Sequence, residues 1–390
     1  MLNNHNIKLG VEALIYDKDG NLKDIKYIST PNEALKAKLN YEILNNKNEI
    51  VEQNELPFKS FTYAYAGHIF TGITNTIYTI VNITGIPRAI LSTYYDLSDV
   101  TLAGVTYRGI VVGTGSLQNS SSVYNVGLIN HGTSSNELIY NPSAMIAPYY
   151  SGSAYYTNLN RTFSNWTTES INVNEIGVYS SNLNYLSIRD IYDNTGSLLN
   201  LNIPPSGTLN VNYKFYVDDE CGLNLNWLRF LYHSHTNTYA YSIINILNQS
   251  GQVELKTYLI SLDFSSTGSI KGIVCGTGST AVTLEDYKLS YLIENGMSAN
   301  KLLYKPHSYT SLQNYLTVSS SVSFQISRQF ENSSGAPIEI NEVGIYGSED
   351  TSYPIATTDT FLYSRFLTGG ISLNDGEVVD FRFIWQFDLS

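Results

Sequence analysis

The chain is poor in the residues that most chemistry, and most contacts with nucleic acid or membranes, require. Of its 390 residues 14% are charged, 22 basic against 34 acidic, for a net charge of −12. The Lys and Arg residues form no cluster, and counterion release from a phosphate backbone needs clustered cations, so nucleic acid is excluded as the main partner. The two cysteines, Cys221 and Cys275, stand in neither a disulfide framework nor a CxxC or zinc spacing, and they read as small apolar core residues. No apolar run approaches the roughly 18 residues needed to span a bilayer. The opening segment Met1-Leu-Asn-Asn-His-Asn-Ile-Lys8 has no apolar core of a signal peptide. A chain made in a cytoplasm, with no membrane partner, is therefore expected.

Catalytic patterns are equally scarce. No Gly-x-Ser-x-Gly elbow occurs. The segments Gly113-Thr-Gly-Ser116 and Gly276-Thr-Gly-Ser279 lack the GK[ST] ending of a phosphate loop and the third glycine of a dinucleotide site, and no helical pattern follows either. They read as turns after interior strands. Asp17, Asp19, Asn21 and Asp24 around Gly20 alternate like calcium ligands, but Ile28 stands where the bidentate acid belongs, so a hairpin turn is expected. His233-Ser-His235 would put two imidazoles on one face of a strand, without a third ligand. The doublets Asp218-Asp219, Glu285-Asp286 and Glu349-Asp350 lie in turn-like contexts and read as solvated, and no glycosidase pair can be assigned. These readings assign no catalytic residue, no metal ligand and no cofactor, so the chain is expected not to be an enzyme.

What the chain does have is a long internal repeat. Arg108-Gly-Ile-Val-Val-Gly-Thr-Gly-Ser116 returns as Lys271-Gly-Ile-Val-Cys-Gly-Thr-Gly-Ser279, and Asn174-Glu-Ile-Gly-Val-Tyr179 returns as Asn341-Glu-Val-Gly-Ile-Tyr346. Leu138-Ile-Tyr-Asn-Pro142 matches Leu302-Leu-Tyr-Lys-Pro306, and Thr74-Asn-Thr76 matches Thr236-Asn-Thr238. An offset that drifts only from 162 to 167 over this length means a duplicated domain with short loop insertions. The period is far above the roughly 20 to 50 residues of solenoid arrays, so each copy must own a core.

The 32 tyrosines, with abundant Asn, Ser and Thr, suit sheet surfaces and turns. Residues 1–57 stand outside the repeat as a small α/β arm. Val11 to Tyr27 reads as a hairpin around Asp19-Gly20, and Thr30-Pro31 reads as the cap and first position of a helix running to Leu44. Each copy opens with an aromatic amphipathic segment, Phe58 to Phe70 and Leu223 to Tyr232, and continues through paired strands over 76–96 and 238–263. Each closes on a period-two strand: Leu209, Val211, Tyr213, Phe215 and Val217 share one face of the first, and Val379, Phe381, Phe383, Trp385 and Phe387 one face of the second. The expected fold is all-β, two tandem duplicated β-sandwich domains of jelly-roll type over 58–220 and 221–390, with the N-terminal arm and a boundary near Asp218-Asp-Glu-Cys-Gly222.

Parity sharpens the repeated motifs. Ile171 and Val173 share a face and so do Ile176 and Val178, but the step between the pairs is odd. A β-bulge at Asn174-Glu175, and another at Asn341-Glu342, restores the facing. Glu175 and Glu342 are then placed to accept from backbone amides that a bulge leaves unpaired, with a ligand contact as the alternative. Gly177 and Gly344 are expected where a neighbouring strand would crowd a side chain. Gly113, Gly115, Glu175, Gly177 and Tyr179, with Gly276, Gly278, Glu342, Gly344 and Tyr346, form the set of repeated structural residues.

The order of these motifs resembles that in structural proteins of tailed bacteriophage virions, whose units carry a G-I-V-V-G-T-G strand and turn, an x-D-Y-x-L segment and a closing N-E-I-G-L-Y strand. Glu285-Asp-Tyr-Lys-Leu289 is similar to the middle element, and Ser122-Val-Tyr-Asn-Val126 matches it more loosely. The resemblance covers about residues 58 to 390 and implies a β-sandwich component of the tail, neck or head surface, located in the virion. Its partners would be copies of itself, through tyrosine-rich surfaces suited to symmetric contacts, and other virion proteins. The N-terminal arm is expected to order on a neighbouring subunit. The alternative is a receptor- or glycan-binding fibre or adhesin protein whose exposed tyrosines stack on surface sugars.

Overall fold

A computed structural model describes residues 7–388 apart from 58–60, 75–76, 83, 85, 91–100, 116–125, 127, 181–184, 192–196, 219–222, 237–243, 248–252, 257–259, 262–270, 311, 313–320 and 350–359. The described chain is mostly strand, in several antiparallel sheets, with two helices.

The first three strands are β1 (Ile7–Tyr16), β2 (Leu22–Leu44) and β3 (Ile50–Pro57). They form two hairpins rather than a hairpin and a helix. In β2 the residues Leu35, Ala37, Leu39, Tyr41 and Ile43 are buried, while Lys36, Lys38, Asn40 and Glu42 between them reach solvent. That alternation has period two, and it overrides the Thr-Pro helix-start signal and the helix propensity of Ala, Leu and Lys, because only a strand buries all five apolar residues on one face.

The two hairpin turns are copies of one another. Asp17 N donates to Asn21 O at 2.9 Å and Gly20 N to Asp17 O at 3.0 Å, and Asn45 N donates to Glu49 O at 2.9 Å and Asn48 N to Asn45 O at 3.0 Å. Asp17 Oδ1 accepts from Asp19 N and Asn21 N at 2.9 and 2.8 Å, as Asn45 Oδ1 accepts from Lys47 N and Glu49 N at 2.8 and 3.0 Å. Gly20 and Asn48 both take the left-handed backbone such a turn needs, with φ of 83° and 59°. The hairpin turns at 17–21 and 45–49 thus repeat one another, and the Asp17 carboxylate is used by its own turn.

The first half continues with α1 (Tyr63–Thr74), β4 (Tyr78–Val81), β5 (Pro87–Ile90), β6 (Gly109–Gly113), β7 (Ile139–Ser151), β8 (Ala154–Ser164), β9 (Ile171–Val173), β10 (Glu175–Ser180), β11 (Tyr185–Asp190), β12 (Leu201–Ile203) and β13 (Thr208–Asp218). The second half runs through α2 (Leu225–Thr236), β14 (Ile244–Leu247), β15 (Val253–Lys256), β16 (Ile260–Ser261), β17 (Gly272–Gly276), β18 (Leu303–Thr310), β19 (Ser321–Glu331), β20 (Ile338–Glu349), β21 (Thr360–Leu373) and β22 (Val378–Asp388). The aromatic opening segments are therefore helices. Thr62 and Asn224 cap them, Thr62 Oγ1 accepting from Tyr65 N at 3.4 Å and Asn224 Oδ1 from Trp227 N at 3.3 Å. Both anticipated strand pairs form, as β4–β5 and β14–β15.

The hairpins join the halves crosswise. β1 pairs along β22, with Ile15 opposite Val379 and Ile7 opposite Phe387, whereas the second part of β2 pairs with β13, with Ile43 opposite Leu209. The result is a 9-stranded sheet in the order β18-β19-β22-β1-β2-β13-β8-β7, with β3 also on β2. Its inner face carries the two expected period-two sets, all ten residues buried. Against each end of it lies a smaller sheet, β11-β10-β6 in the first half and β16-β20-β17 with β21 in the second. The N-terminal segment is thus built into the middle of this chain's own sheet, where the sequence suggested an arm for a neighbouring subunit.

Other expectations also need correcting. His233 and His235 fall in α2 and not in a strand. Many tyrosines serve the core and not the surface: Tyr65, Tyr140, Tyr179, Tyr185, Tyr213, Tyr346 and Tyr363 are among the largest fully buried side chains. The helices tie the halves further. Phe70 of α1 meets Phe324 of β19 at 5.2 Å, and α2 packs on β7 and β8. Cys275 is buried, while Cys221 and most of the anticipated boundary lie outside the described residues.

If β2 is a strand with one buried face, Leu39→Ala should cost about 2–5 kcal/mol as a core truncation. Asn40→Ala on the opposite face should stay within about 0.5 kcal/mol. Urea unfolding midpoints of the two variants check this, and equal losses would contradict the assigned faces.

Candidate functional site

The segments that recur most closely in sequence touch one another in space. β6 and β17 each begin at a glycine in the left-handed region, Gly109 at φ 73° and Gly272 at φ 79°, and each ends at the Gly-Thr-Gly turn. β10 and β20 lie alongside, with Glu175 opposite Gly113 and Glu342 opposite Gly276. The Asn-Glu pair then holds the turn. Asn174 Nδ2 donates to Thr114 O at 3.3 Å and Asn341 Nδ2 to Thr277 O at 3.1 Å. Glu175 Oε1 accepts from Gly115 N at 3.0 Å and Glu342 Oε1 from Gly278 N at 3.1 Å. Glu342 also accepts from Tyr291 N at 2.9 Å and Ser290 N at 3.1 Å. The glycine loops thus do cradle an anion, and it is the protein's own carboxylate.

That closeness explains the glycines. A Cβ on Gly115 would lie 2.0 Å from Glu175 Oε1, and one on Gly278 would lie 2.4 Å from Glu342 Oε1. At Gly177 it would approach Val126 Cγ2 to 2.6 Å, and at Gly344 it would approach the Ser364 carbonyl oxygen to 2.6 Å. The strand is irregular where parity requires it. The first half breaks at Asn174 between β9 and β10, and the second shifts register between Ile340 and Glu342. Tyr179 and Tyr346 close the assembly from the side, their hydroxyls accepting from Val126 N at 2.7 Å and Leu289 N at 2.6 Å.

Each glutamate is fully buried and meets an arginine that sequence reasoning missed. Arg189 Nε and Nη2 donate to Glu175 Oε2 at 2.9 and 2.7 Å, and Arg365 Nε donates to Glu342 Oε2 at 2.7 Å. The arginines stand in the same register, Arg189 opposite Gly177 and Arg365 opposite Gly344, although they lie 14 and 23 residues beyond their glutamates. The unequal loops hide the match from a search at fixed offset. Arg365 Nη1 also pairs with Asp286 at 2.9 Å, and Glu285 accepts from the Tyr155 hydroxyl at 2.5 Å, so this doublet is not simply solvated.

A second duplicated layer lies between the sheets. Arg161 donates to the carbonyls of Asn141 and Ile110 at 2.8 and 2.8 Å, and Arg328 to those of Lys305 and Ile273 at 3.0 and 3.0 Å. Each guanidinium lies over the repeated tyrosine, at 4.8 Å from the Tyr140 ring centroid and 4.6 Å from that of Tyr304, and over Phe163 or Phe330 at 5.8 Å. The Tyr140 and Tyr304 hydroxyls donate to Ile129 O and Ile293 O. Burial pushes both arginines down to about 10. Asn165 and Asn332 follow, each side chain bridging a loop to the closing turn. The readable signal was Arg161-Thr-Phe-Ser-Asn165 recurring as Arg328-Gln-Phe-Glu-Asn332.

This arrangement fixes turns and joins two sheets, and its carboxylates are saturated by donors. Among the described residues no group of three or more His, Cys, Asp or Glu is placed to hold a metal ion, and no helix is long and apolar enough to cross a membrane. No protein-family description, curated protein or solved structure matches the chain.

Glu342→Gln should cost about 1–3 kcal/mol, because the buried Arg365 keeps Asp286 as a charge partner but loses a charged acceptor. Gly278→Ala should cost about 1–3 kcal/mol by overpacking. The three atoms nearest a Cβ on Gly115 all belong to the Glu175 carboxylate, so Gly115→Ala and Glu175→Ala, which removes that carboxylate, should be strongly non-additive in a double-mutant cycle of urea unfolding. Additive losses would show that the contact does not set the glycine.

The buried tyrosines set an alkaline limit. Burial pushes Tyr179 up to about 12 and raises Tyr140, Tyr304 and Tyr346 above the usual phenol range. A phenol whose folded value is raised stabilises the fold fully below its unfolded value near 10 and loses that contribution as pH climbs through the folded value. The fold should therefore fail steeply between about pH 10 and 12, with the exposed tyrosines ionising first and the remaining tyrosinate absorbance appearing together with loss of sheet circular dichroism. Ionisation of every tyrosine with the fold intact would contradict the burial.

Proposed function

We propose that the chain is a non-enzymatic structural component of a tailed-bacteriophage virion, in the tail, neck or head surface, made in the host cytoplasm and acting by symmetric assembly. Each half is one β-sandwich of jelly-roll type, and the pair is a tandem duplication. The order of glycine turn, Asp-Tyr segment and Asn-Glu strand supports this reading. The observation that carries it is the use to which the repeated polar residues are put. Glu175, Glu342, Arg161, Arg328, Tyr140 and Tyr304 are all engaged in buried contacts that hold turns and layers. What occurs twice in the chain is a scaffold, and two scaffolds of one shape suit repeated placement around a symmetry axis.

A receptor- or glycan-binding fibre protein is the second reading. Its support is not the tyrosine platform suggested by composition. Tyr149, Tyr156 and Tyr216 stack on one another at 5.8 and 5.1 Å with interplanar angles of 27°, which spends ring faces that a sugar would need. Support comes from the amides of Asn160, Asn212 and Asn40, which lie in one cross-strand row of the large sheet.

Light scattering and electron microscopy of the purified chain should show a closed oligomer, and mass spectrometry of purified particles should find the chain within them. A monomer at every concentration, absent from particles, would overturn the assembly reading.

A further inference from the structure

The interior of the two halves is duplicated, but one solvent-facing row of the large sheet is not. In the first half the row crosses β8, β13, β2 and β3 as Asn160, Asn212, Asn40 and Glu55, each opposite the next. The same row in the second half is Ser327, Arg382, Glu12 and Tyr27. There it is closed on itself: Arg382 reaches Glu12 at 3.5 Å and Asp380 at 3.0 Å, and the Ser327 hydroxyl lies 2.7 Å from that of Ser308.

The first-half row is open. Among the described residues the side chains of Asn40, Asn160 and Asn212 make no hydrogen bond. The Oδ1 atoms of Asn40 and Asn212 are sealed from solvent, so what these two residues turn outward is the amide nitrogen. One step along β13, Lys214 has no carboxylate among the described residues, whereas Lys36 and Lys38 nearby are matched by Asp218 and Glu55, each at 2.6 Å. The tyrosine stack borders the row, with Asn158 Nδ2 donating to the Tyr149 hydroxyl at 3.0 Å.

We propose that this face binds an extended polysaccharide bearing carboxylate groups, its ring and hydroxyl oxygens accepting from Asn40, Asn160 and Asn212 and a carboxylate pairing with Lys214. Outward amide donors with an uncompensated ammonium select a ligand rich in acceptor oxygens. Adjacent strands lie about 4.8 Å apart, close to the length of one pyranose unit in an extended chain, so a polysaccharide lying across the strands meets one amide per sugar. A second copy of the same face would set donor against donor and leave both unsatisfied. The inference stands apart from the assembly reading, since a monomer can show the binding and an assembled particle can lack it.

Calorimetric titration of the full chain with oligogalacturonate, oligoguluronate and a neutral cello-oligosaccharide of equal length tests this. An acidic oligosaccharide should bind in preference to the neutral one. Asn40→Ala with Asn212→Ala should weaken it about fivefold per amide, the worth of about 1 kcal/mol each. Lys214→Met should erase the preference, while Ser323→Ala, in the second-half position equivalent to Tyr156, should change nothing. These side chains face solvent, and unchanged urea midpoints will separate lost binding from lost folding. Failure of all three sugars to bind, binding that survives the double replacement, or a neutral sugar bound as tightly as the acidic ones would each overturn the proposal. Self-association abolished by the double replacement would overturn it in favour of a second copy.

Discussion

A buried carboxylate in each half sets the terms for everything around it. Taking an ionised glutamate out of water costs several kcal/mol unless donors and an opposite charge meet it. Glu175 and Glu342 are met by the backbone of the glycine turn on one side and by an arginine on the neighbouring strand on the other. The contact therefore fixes the turn, demands the absence of a Cβ at Gly115 and Gly278, and holds the small sheet in register. The connecting loops of the halves differ in length, yet the charge pair is the same in space. Loop length is thermodynamically cheap and the buried pair is not, so a change of loop could be absorbed where a change of partner could not.

Around those clamps the chain closes in a crossed order. The first hairpin completes the sheet of the last strand, and the second completes that of β13, so the second half's sheet lacks its neighbour until both ends of the chain are present. Contacts so distant in sequence impose slow, loop-closing steps on folding. They also make the two halves one sheet rather than beads on a linker. Within each half the arginine between the layers joins the large sheet to the small one without needing a carboxylate, because its acceptors are backbone carbonyls and its plane rests on aromatic rings.

The sequence repeat was legible because its motifs contain residues that few environments accept, such as glycine at a carboxylate contact and tyrosine with a buried hydroxyl. The closing strands and the loss of strand regularity at the two Asn-Glu pairs were legible because side-chain parity in a strand is strict. The helix expected over Thr30 to Leu44 failed because a local start signal was weighed above the alternation from Leu35 to Ile43, which lay in plain sight. Arg189 and Arg365 were hidden by unequal loops, and the hairpin repeat by substitution: Asp17 and Asn45 share no letter, but both offer a side-chain oxygen to the same amides. The crossing of the hairpins is not encoded in any local pattern, since β1 and the second part of β2 present similar apolar faces and only the closed sheet distinguishes their partners.

The contrast between inside and outside is where the two halves part company. Inside, the repeated glutamates, arginines and tyrosines each meet several neighbours, so that one altered residue would strand the others, and the same kinds of contact recur in both halves. On the outer face of a sheet each side chain answers only to its cross-strand neighbours and to water, and drift there costs little. A row that had merely drifted would still pair with itself wherever it could, as Arg382 does with Glu12 and Asp380. Three amides and an ammonium left facing solvent in the first half, with the closed arrangement available in the second, place the difference between the halves on the surface that can meet another molecule.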